Sequence, residues 1–275
     1  MTKRAAVKTL KSTLFYAGAA ALCVGPLFVF VWMIMTGLKT GVQNIAYPPE
    51  FIFTPTLENF QAVFQQHNFF RYLMNSLIIA TLATGLSLVL GLPAAYSIAK
   101  YRQGRIGMII LLARMTPFVS YLLPWYIIFR YLKLIDTYTA LTLTHLIITL
   151  PMVAWLMVAF FESVPAELED AAMIDGCSRL KSFLIIVLPL VRNGIATSAI
   201  MAFIFSWNQF LFSLILSGPQ TKTVPVAVYN FISYGKIDWA GIGAAATLIV
   251  LPVSVFAFFV RKTIVQGLTM GALKD

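Results

Sequence analysis

Apolar residues gather into six long runs, near 14–38, 72–99, 106–129, 138–161, 195–216 and 241–260, and nearly all charged residues lie between them. About 20 mainly apolar residues cross a bilayer as a helix, because a spanning segment must satisfy its own backbone hydrogen bonds. Each run therefore predicts a transmembrane helix. Pro93, Pro117, Pro124, Pro151 and Pro252 fall within the runs and predict kinks or breaks. Between runs four and five the pattern changes to a helical amphipathic one. Leu168, Ala171 and Ala172 stand at i, i+3 and i+4, and Leu180, Phe183, Leu184 and Val187 at i, i+3, i+4 and i+7. Pro165 suits the first turn, and Glu167, Glu169 and Asp170 near that start complement the macrodipole. Gly176 supplies a left-handed stop, and Pro189 interrupts the second run before the fifth span. In the segment 39–71, after Pro48, Pro49 and Pro55, a short helix is predicted from near Thr56. Leu57, Phe60 and Phe64 share one face of it, suited to the membrane interface.

Composition places the same pattern in a class: 60% hydrophobic, 11% charged, mean hydropathy +0.85. The expected fold class is an all-α integral membrane protein of six transmembrane helices, with a short cytoplasmic helix between helices 4 and 5. A tail over 1–13 precedes a single transmembrane domain over 14–275, which leaves no room for a soluble catalytic domain. With the N-terminus inside, Lys3, Arg4, Lys8, Lys11, Lys100, Arg102, Arg105, Arg179, Lys181, Arg192, Arg261, Lys262 and Lys274 are cytoplasmic. That is 13 of the 20 Lys and Arg; Lys39, Arg71, Arg130, Lys133, Lys222 and Lys236 lie outside, and Arg114 falls within a span. The excess predicts both termini in the cytoplasm, and it accounts for the net charge of +10 as a topology signal rather than a nucleic-acid footprint. The first run is too long for a signal peptide and lacks an A-x-A-like site, so it reads as an uncleaved span. Cys23 and Cys177 fall in different compartments, which removes a disulfide or a Cys-based metal site.

The segment 163–189 resembles the coupling loop of permease subunits in ATP-driven, binding-protein-dependent importers. Their pattern is Glu-Ala-Ala, three residues, Gly, nine residues, Ile-x-Leu-Pro. Asp170-Ala171-Ala172, Gly176 and Ile186-Val187-Leu188-Pro189 keep that spacing, with Asp170 in place of the usual Glu. Leu57-Glu58-Asn59-Phe60, Leu73-Met74-Asn75-Ser76-Leu77, Ser206-Trp207-Asn208-Gln209-Phe210 and the tail Gly267-Leu268-Thr269-Met270-Gly271-Ala272-Leu273-Lys274 extend the likeness toward the carbohydrate branch. Within it the chain looks most like the shorter permease subunit of maltose-type importers. Gln209 departs from the common Glu and argues against an ionisable relay there.

The resemblance implies the type I importer permease fold and a heterodimeric pathway with a second permease subunit. It also implies an ATPase dimer and an extracytoplasmic solute-binding protein that delivers a sugar or sugar-like small-molecule solute, all at the bacterial cytoplasmic membrane. Glu167, Leu168, Asp170, Ala171, Ala172, Asp175, Gly176 and Arg179 would then dock on the ATPase. The loop 217–240 would face the binding protein through Gln220, Thr221, Lys222 and Thr223, although its Pro and Gly also suit an ordinary turn. The chain is expected to bind no cofactor and to catalyse nothing: ATP and Mg belong to the partner ATPase, since no G-x-x-x-x-G-K-[ST] loop and no nucleophile–base or metal constellation occurs.

For the translocation path the polar and aromatic residues within spans are the candidates. Asn208, Gln209 and Trp207 offer amides and a flat ring suited to a sugar, or else join helices together. Arg114 either contacts substrate or pairs with carbonyls freed by Pro117 or with an acid on another subunit. Tyr121 and Trp125 line the path or anchor the outer interface. His145 reads as a hydrogen-bonded interior residue. Polyol, glycerophosphodiester or amino-acid cargo fits the same architecture. An ion-coupled secondary transporter is the rival of another class, and it would need intramembrane acids and repeats that this chain does not display.

Overall fold

A computed structural model of the chain describes residues 3–66, 68–233 and 236–270. In order, the elements are α1 (Lys3–Leu38), α2 (Gly41–Asn44), α3 (Glu58–Gln66), α4 (Phe69–Lys100), α5 (Gly104–Met115), α6 (Val119–Tyr131), α7 (Tyr138–Glu162), α8 (Ala166–Ile174) and α9 (Arg179–Ser182). A π turn (Phe183–Val187) leads to α10 (Leu188–Leu190), α11 (Arg192–Trp207), α12 (Leu211–Leu216) and α13 (Val224–Ala227). A 3-10 turn (Val228–Phe231) and a two-residue antiparallel pair, β1 (Ile232–Ser233) with β2 (Lys236–Ile237), precede α14 (Trp239–Met270). Among the described residues the regular structure is all-helical apart from that pair. The tail from Gly271 onward lies outside the described residues.

Among the described residues, three single helices are long and apolar enough to cross a membrane: Ser12–Leu38 within α1, α4 and α7. The total is five if α5 with α6, and Arg179–Leu190 with α11, each count as one bent span. Trp239–Val255 is the apolar start of α14, which runs on to Met270. Six spans were expected, with kinks or breaks at their prolines; the third and fifth runs fold as broken helices, and the sixth is the apolar start of α14. The third run folds through 89° between α5 and α6, at the Thr116-Pro117-Phe118 step. Pro117 has no N–H to continue a helix and disfavours the helical region for Thr116, whose backbone is extended (φ −66°, ψ 128°). A second bend, of 79°, sits at Val191, two residues after Pro189. The fifth run is broken again between Trp207 and Leu211.

By contact the chain divides into two compact units, 1–68 with 228–251, and 69–227 with 252–275. In the smaller unit, Gly37 and Gly243 meet with no room for side chains: a Cβ on Gly243 would lie 2.6 Å from the Gly37 nitrogen. Small residues of this kind let helix backbones approach closely. Asn59 of α3 donates to the Gly37 and Lys39 carbonyls, both at 2.8 Å, holding the end of α1. The α3 helix starts two residues later than expected. Its buried residue is Val63, while Leu57 and Phe64 are exposed.

The larger unit is built on α4, α7 and α11, each presenting a stripe at four-residue intervals: Ile79, Ala83, Ser87, Gly91 and Ala95 on α4; Leu141, His145, Thr149, Val153, Met157 and Phe161 on α7; Gly194, Ser198, Ala202 and Ser206 on α11. Small and hydroxyl residues on these stripes bring the helices close. Ser87 and Thr149 share a 2.6 Å hydrogen bond, and a Cβ on Gly91 would touch Val153 at 3.0 Å. Since lipid is as apolar as a leucine side chain, such packing and interhelical hydrogen bonds hold a membrane bundle together.

Candidate functional site

The segment after α7 forms the expected short helix, stop and second helix. Pro165 caps α8, and Gly176 ends it with φ +84°, the left-handed angle for which glycine carries no steric penalty. The two faces of α8 differ. Glu167, Leu168, Asp170, Ala171, Ile174 and Asp175 are exposed, whereas Glu169 (8% exposed) and Ala172 (5%) turn inward. Ala172 therefore does not share the outward face of Leu168 and Ala171, and its side chain is not available to a docking partner. Ala172 lies instead on the flank of α8 that it shares with Glu169, three residues before it. In the second run Phe183 and Val187 are buried, while Leu180 and Leu184 are exposed. The π turn over Phe183–Val187 aligns the four-residue pair Phe183 and Val187 with the core. Arg179 is exposed and donates to the Tyr101 hydroxyl at 2.7 Å.

Glu169 carries the attachment of α8. Its carboxylate pairs with Lys100 and accepts from the Tyr96 hydroxyl, both in the last turns of α4, and Lys100 also donates to the Tyr96 oxygen at 3.0 Å. The Tyr96 ring lies 4.7 Å from Phe183 and 5.7 Å from Phe161. One tyrosine thus receives the end of α7, the coupling helix and the π turn. A cavity of about 840 Å³ opens beside this cluster, between the end of α4, the start of α5, the end of α7 and α8. Sequence reasoning missed Glu169, Lys100 and Tyr96 as a set; the four-residue spacing of Tyr96 and Lys100 at a span end was the available signal.

On the opposite loop the candidates separate. Gln220 is exposed and Lys222 half-buried, with its ammonium over the Tyr72 ring at 5.9 Å. Thr221 (1% exposed) and Thr223 (2%) face inward and cannot present side chains to a partner. The loop is folded onto Asp136, whose carboxylate accepts from the N–H groups of Gly218, Gln220 and Thr221 at 2.8, 3.1 and 2.9 Å and from the Thr221 hydroxyl at 2.7 Å. Burial pushes the Asp136 carboxyl up, but the Thr221 hydroxyl and the Gln220, Thr221 and Gly218 amides outweigh it, so it lies below its ordinary 3.8. Asn75 donates to the Gln220 and Lys222 carbonyls, each at 2.9 Å, and accepts from Tyr138 at 2.6 Å; Ser76 accepts from the Val224 N–H at 2.8 Å. Two consecutive polar residues opening an apolar span were the sequence signal for this anchor.

The path candidates lie near two of the three helix breaks, those at 116–118 and 208–210. Asn208 terminates α11 and donates to the Ile204 carbonyl at 2.9 Å, and the Gln209 oxygen accepts from Leu211 N–H at 3.1 Å. Each amide thus spends one polar end on the break; the Asn208 oxygen and Gln209 NH2 have no partner among the described residues. Trp207 (2% exposed) stacks on Phe203 at 5.8 Å, and its buried indole N–H is unpartnered among the described residues. His145 straddles the break, with Nδ1 2.7 Å from Ser206 and Nε2 3.4 Å from Ser213, the interior role expected for it. Arg114 stands exposed in the last turn of α5, where a cation suits the helix C-terminus, and no partner for it occurs among the described residues. Tyr121 and Trp125 pack on the apolar cluster of Ile79, Phe129, Leu141 and Phe212, Trp125 stacking on Phe129 at 4.9 Å.

Residues 87–270 match the family described as binding-protein-dependent transport system inner membrane component. The sulfoquinovosyl glycerol transport system permease protein SmoH of Agrobacterium fabrum is 35% identical over 265 residues, 94% of this chain and 93% of that one. The trehalose/maltose transport system permease protein MalG of Thermococcus litoralis is 34% identical over 281 residues, 97% and 98% of the two chains. Among solved structures, a bacterial ABC transporter involved in the import of the acidic polysaccharide alginate superposes with a TM-score of 0.76 at 20% identity. That match covers 95% of this chain and 98% of that one, and shows a shared fold.

Proposed function

Because this chain belongs to the family of binding-protein-dependent transport system inner membrane components, we propose that it forms half of the translocation pathway of an ATP-driven importer for a sugar or sugar-like solute. It is a multi-pass inner-membrane transport subunit and not itself a catalyst. The observation that carries the assignment is the two-faced α8: an inward face tied to α4 through Glu169, and an outward face of Glu167, Leu168, Asp170 and Ala171 left open. An ATPase subunit receives that outward face in a surface cleft; Asp175, Gly176 and Arg179 complete the contact. ATP binding draws two ATPase subunits together, the coupling helices move with them, and the pathway formed with a second permease opens outward. A solute-binding protein docked against Gln220 and Lys222 releases its solute at that moment, and hydrolysis resets the inward state. ATP and Mg are held by the ATPase, and both termini of this chain lie in the cytoplasm. The cargo class follows from the relatives, whose names specify sugars and a sugar glycerol.

Within the pathway, Asn208 and Gln209 present an amide oxygen and an amide NH2 with no partner among the described residues, the groups that hydroxyl-rich rings need, and the buried Trp207 ring, its indole N–H likewise unpartnered among the described residues, backs them. Arg114, Tyr121 and Trp125 flank the other break. Affinity purification of the chain from native membranes tests the assembly. An ATPase pair, a second permease and a binding protein travelling with it, and ATP-dependent uptake of that binding protein's ligand in proteoliposomes, are the expected result. A chain that moves solute alone and without ATP overturns the assignment and restores the ion-coupled transporter.

A further inference from the structure

Both ends of α4 are pinned to the segments through which the subunit would touch its partners. At one end, Asn75 is 1% exposed and holds the Gln220 and Lys222 carbonyls, while Ser76 holds the Val224 N–H. At the other end, Tyr96 and Lys100 hold Glu169 of α8. Both attachments belong to a single helix of 32 residues, about 48 Å long at about 1.5 Å per residue. Its backbone hydrogen bonds are internal, save the one that Pro93 cannot donate, and the helix runs unbroken through that residue, so it resists shortening. Its inner stripe is seated on α7 by the Ser87–Thr149 bond and the Gly91–Val153 contact. The attachments are directional rather than greasy: two carbonyls on one amide, and a carboxylate shared by an ammonium and a phenol in a partly desolvated site. There the charge pair resists separation more than an exposed pair would. Only Glu169 and Ala172 of α8 face inward, so this joint is the main polar tie of the coupling helix to the bundle.

We propose that α4 is a strut coupling the outer loop at 217–224 to the coupling helix, so that docking of a binding protein outside changes how the ATPase is engaged inside. The inference rests on the importer assignment above and adds the element that connects its two docking faces. Tyr96, Lys100, Glu169 and Asn75 are positioning residues: they contact no solute and act through the helix. Linkage makes the effect reciprocal, with ATPase closure altering binding-protein affinity by the same factor.

The test is ATP hydrolysis by the reconstituted importer with and without its ligand-loaded binding protein. Glu169→Lys and Lys100→Glu are each expected to lower the stimulation by about 5- to 150-fold, the range of coupling between linked sites, with the ATPase still bound and basal hydrolysis unchanged. Exchanging the two charges together restores stimulation. Asn75→Leu lowers it as well, and adding Glu169→Lys to Asn75→Leu causes no further loss, because both cut the same connection. Tyr96→Phe removes one hydroxyl while keeping the ring, and carries the test if a charge variant fails to assemble; it too is expected to lose stimulation. Full stimulation in the assembled single variants, an exchanged pair as defective as either single one, or simply additive losses would overturn the strut. A wild-type complex that no binding protein stimulates would instead overturn the importer assignment.

Discussion

Asp136 shows how much one side chain outside the spans decides. It adopts φ +59°, in the left-handed region that Asp tolerates better than most residues, and its carboxylate gathers the turn that begins at Gly218. Asp136→Ala leaves three N–H groups without their acceptor. Hydrogen bonds to a charged group contribute about 1.5–3 kcal/mol each, so amide exchange at Gly218, Gln220 and Thr221 should quicken by at least about tenfold. The pH dependence follows from the depressed carboxyl. A group whose native value lies below its ordinary 3.8 stabilises the fold fully above that value, and loses the contribution as pH falls through the native one. Loop protection is therefore expected to hold unchanged from pH 7 to about pH 5 and to fall away only below about pH 4. Protection lost near neutrality would show that another group holds the loop. Thr221 and Thr223 belong to the same scale: both read as polar loop residues fit for a partner, and both are internal props.

At the scale of elements, α8 is the informative case. Its length, its proline start and its glycine stop follow from local chemistry, and all were legible before the structure. Its orientation was not. An exposed residue, proposed to dock, and an inward packing residue stand next to each other at Ala171 and Ala172, and the contrast can be measured. Ala171→Asp places a carboxylate on the open face and is expected to release the ATPase while expression and membrane insertion persist. Ala172→Asp puts the same charge against the bundle and should cost the folded protein itself. Equal loss of expression from both would place Ala171 in the core. Gly176 belongs to this scale because a proline, fixed near φ −65°, has no access to its +84° angle.

For the whole molecule, the broken helices matter more than the intact ones. Membrane interiors tolerate unwound backbone only where protein or a water-lined cavity receives it, and discontinuous spans are a recurring site for solute. In the function proposed above, the 89° turn after Arg114 and the break at Asn208 are therefore better candidates for the path than any single polar residue. Asn208→Ala removes the amide oxygen offered to solute and the tie to Ile204. Transport by the assembled importer is expected to show an apparent KM raised about 5- to 20-fold, matching the loss of about 1–2 kcal/mol from one hydrogen bond, while the ATPase stays bound. A variant that detaches the ATPase and leaves KM unchanged would make Asn208 a helix-end residue alone.

The chain by itself determined that the molecule lives in a membrane, because hydrophobicity sustained over the length of a bilayer needs no knowledge of neighbours. It also determined the coupling helix and its stop, because caps, spacing and left-handed glycine are local properties. Tertiary structure alone decided which way the spans face. A helix that is apolar all round has no polar side from which to infer its inner one, so the stripes led by Ser87, Thr149 and Ser198 appear only once the helices are packed. The same holds for pairings between residues far apart in sequence, Glu169 with Lys100 and Asn75 with the 220–222 backbone. Nothing local announces a partner 69 or 145 residues away, and the free energy that joins such groups arises only after the bundle has removed water from between them.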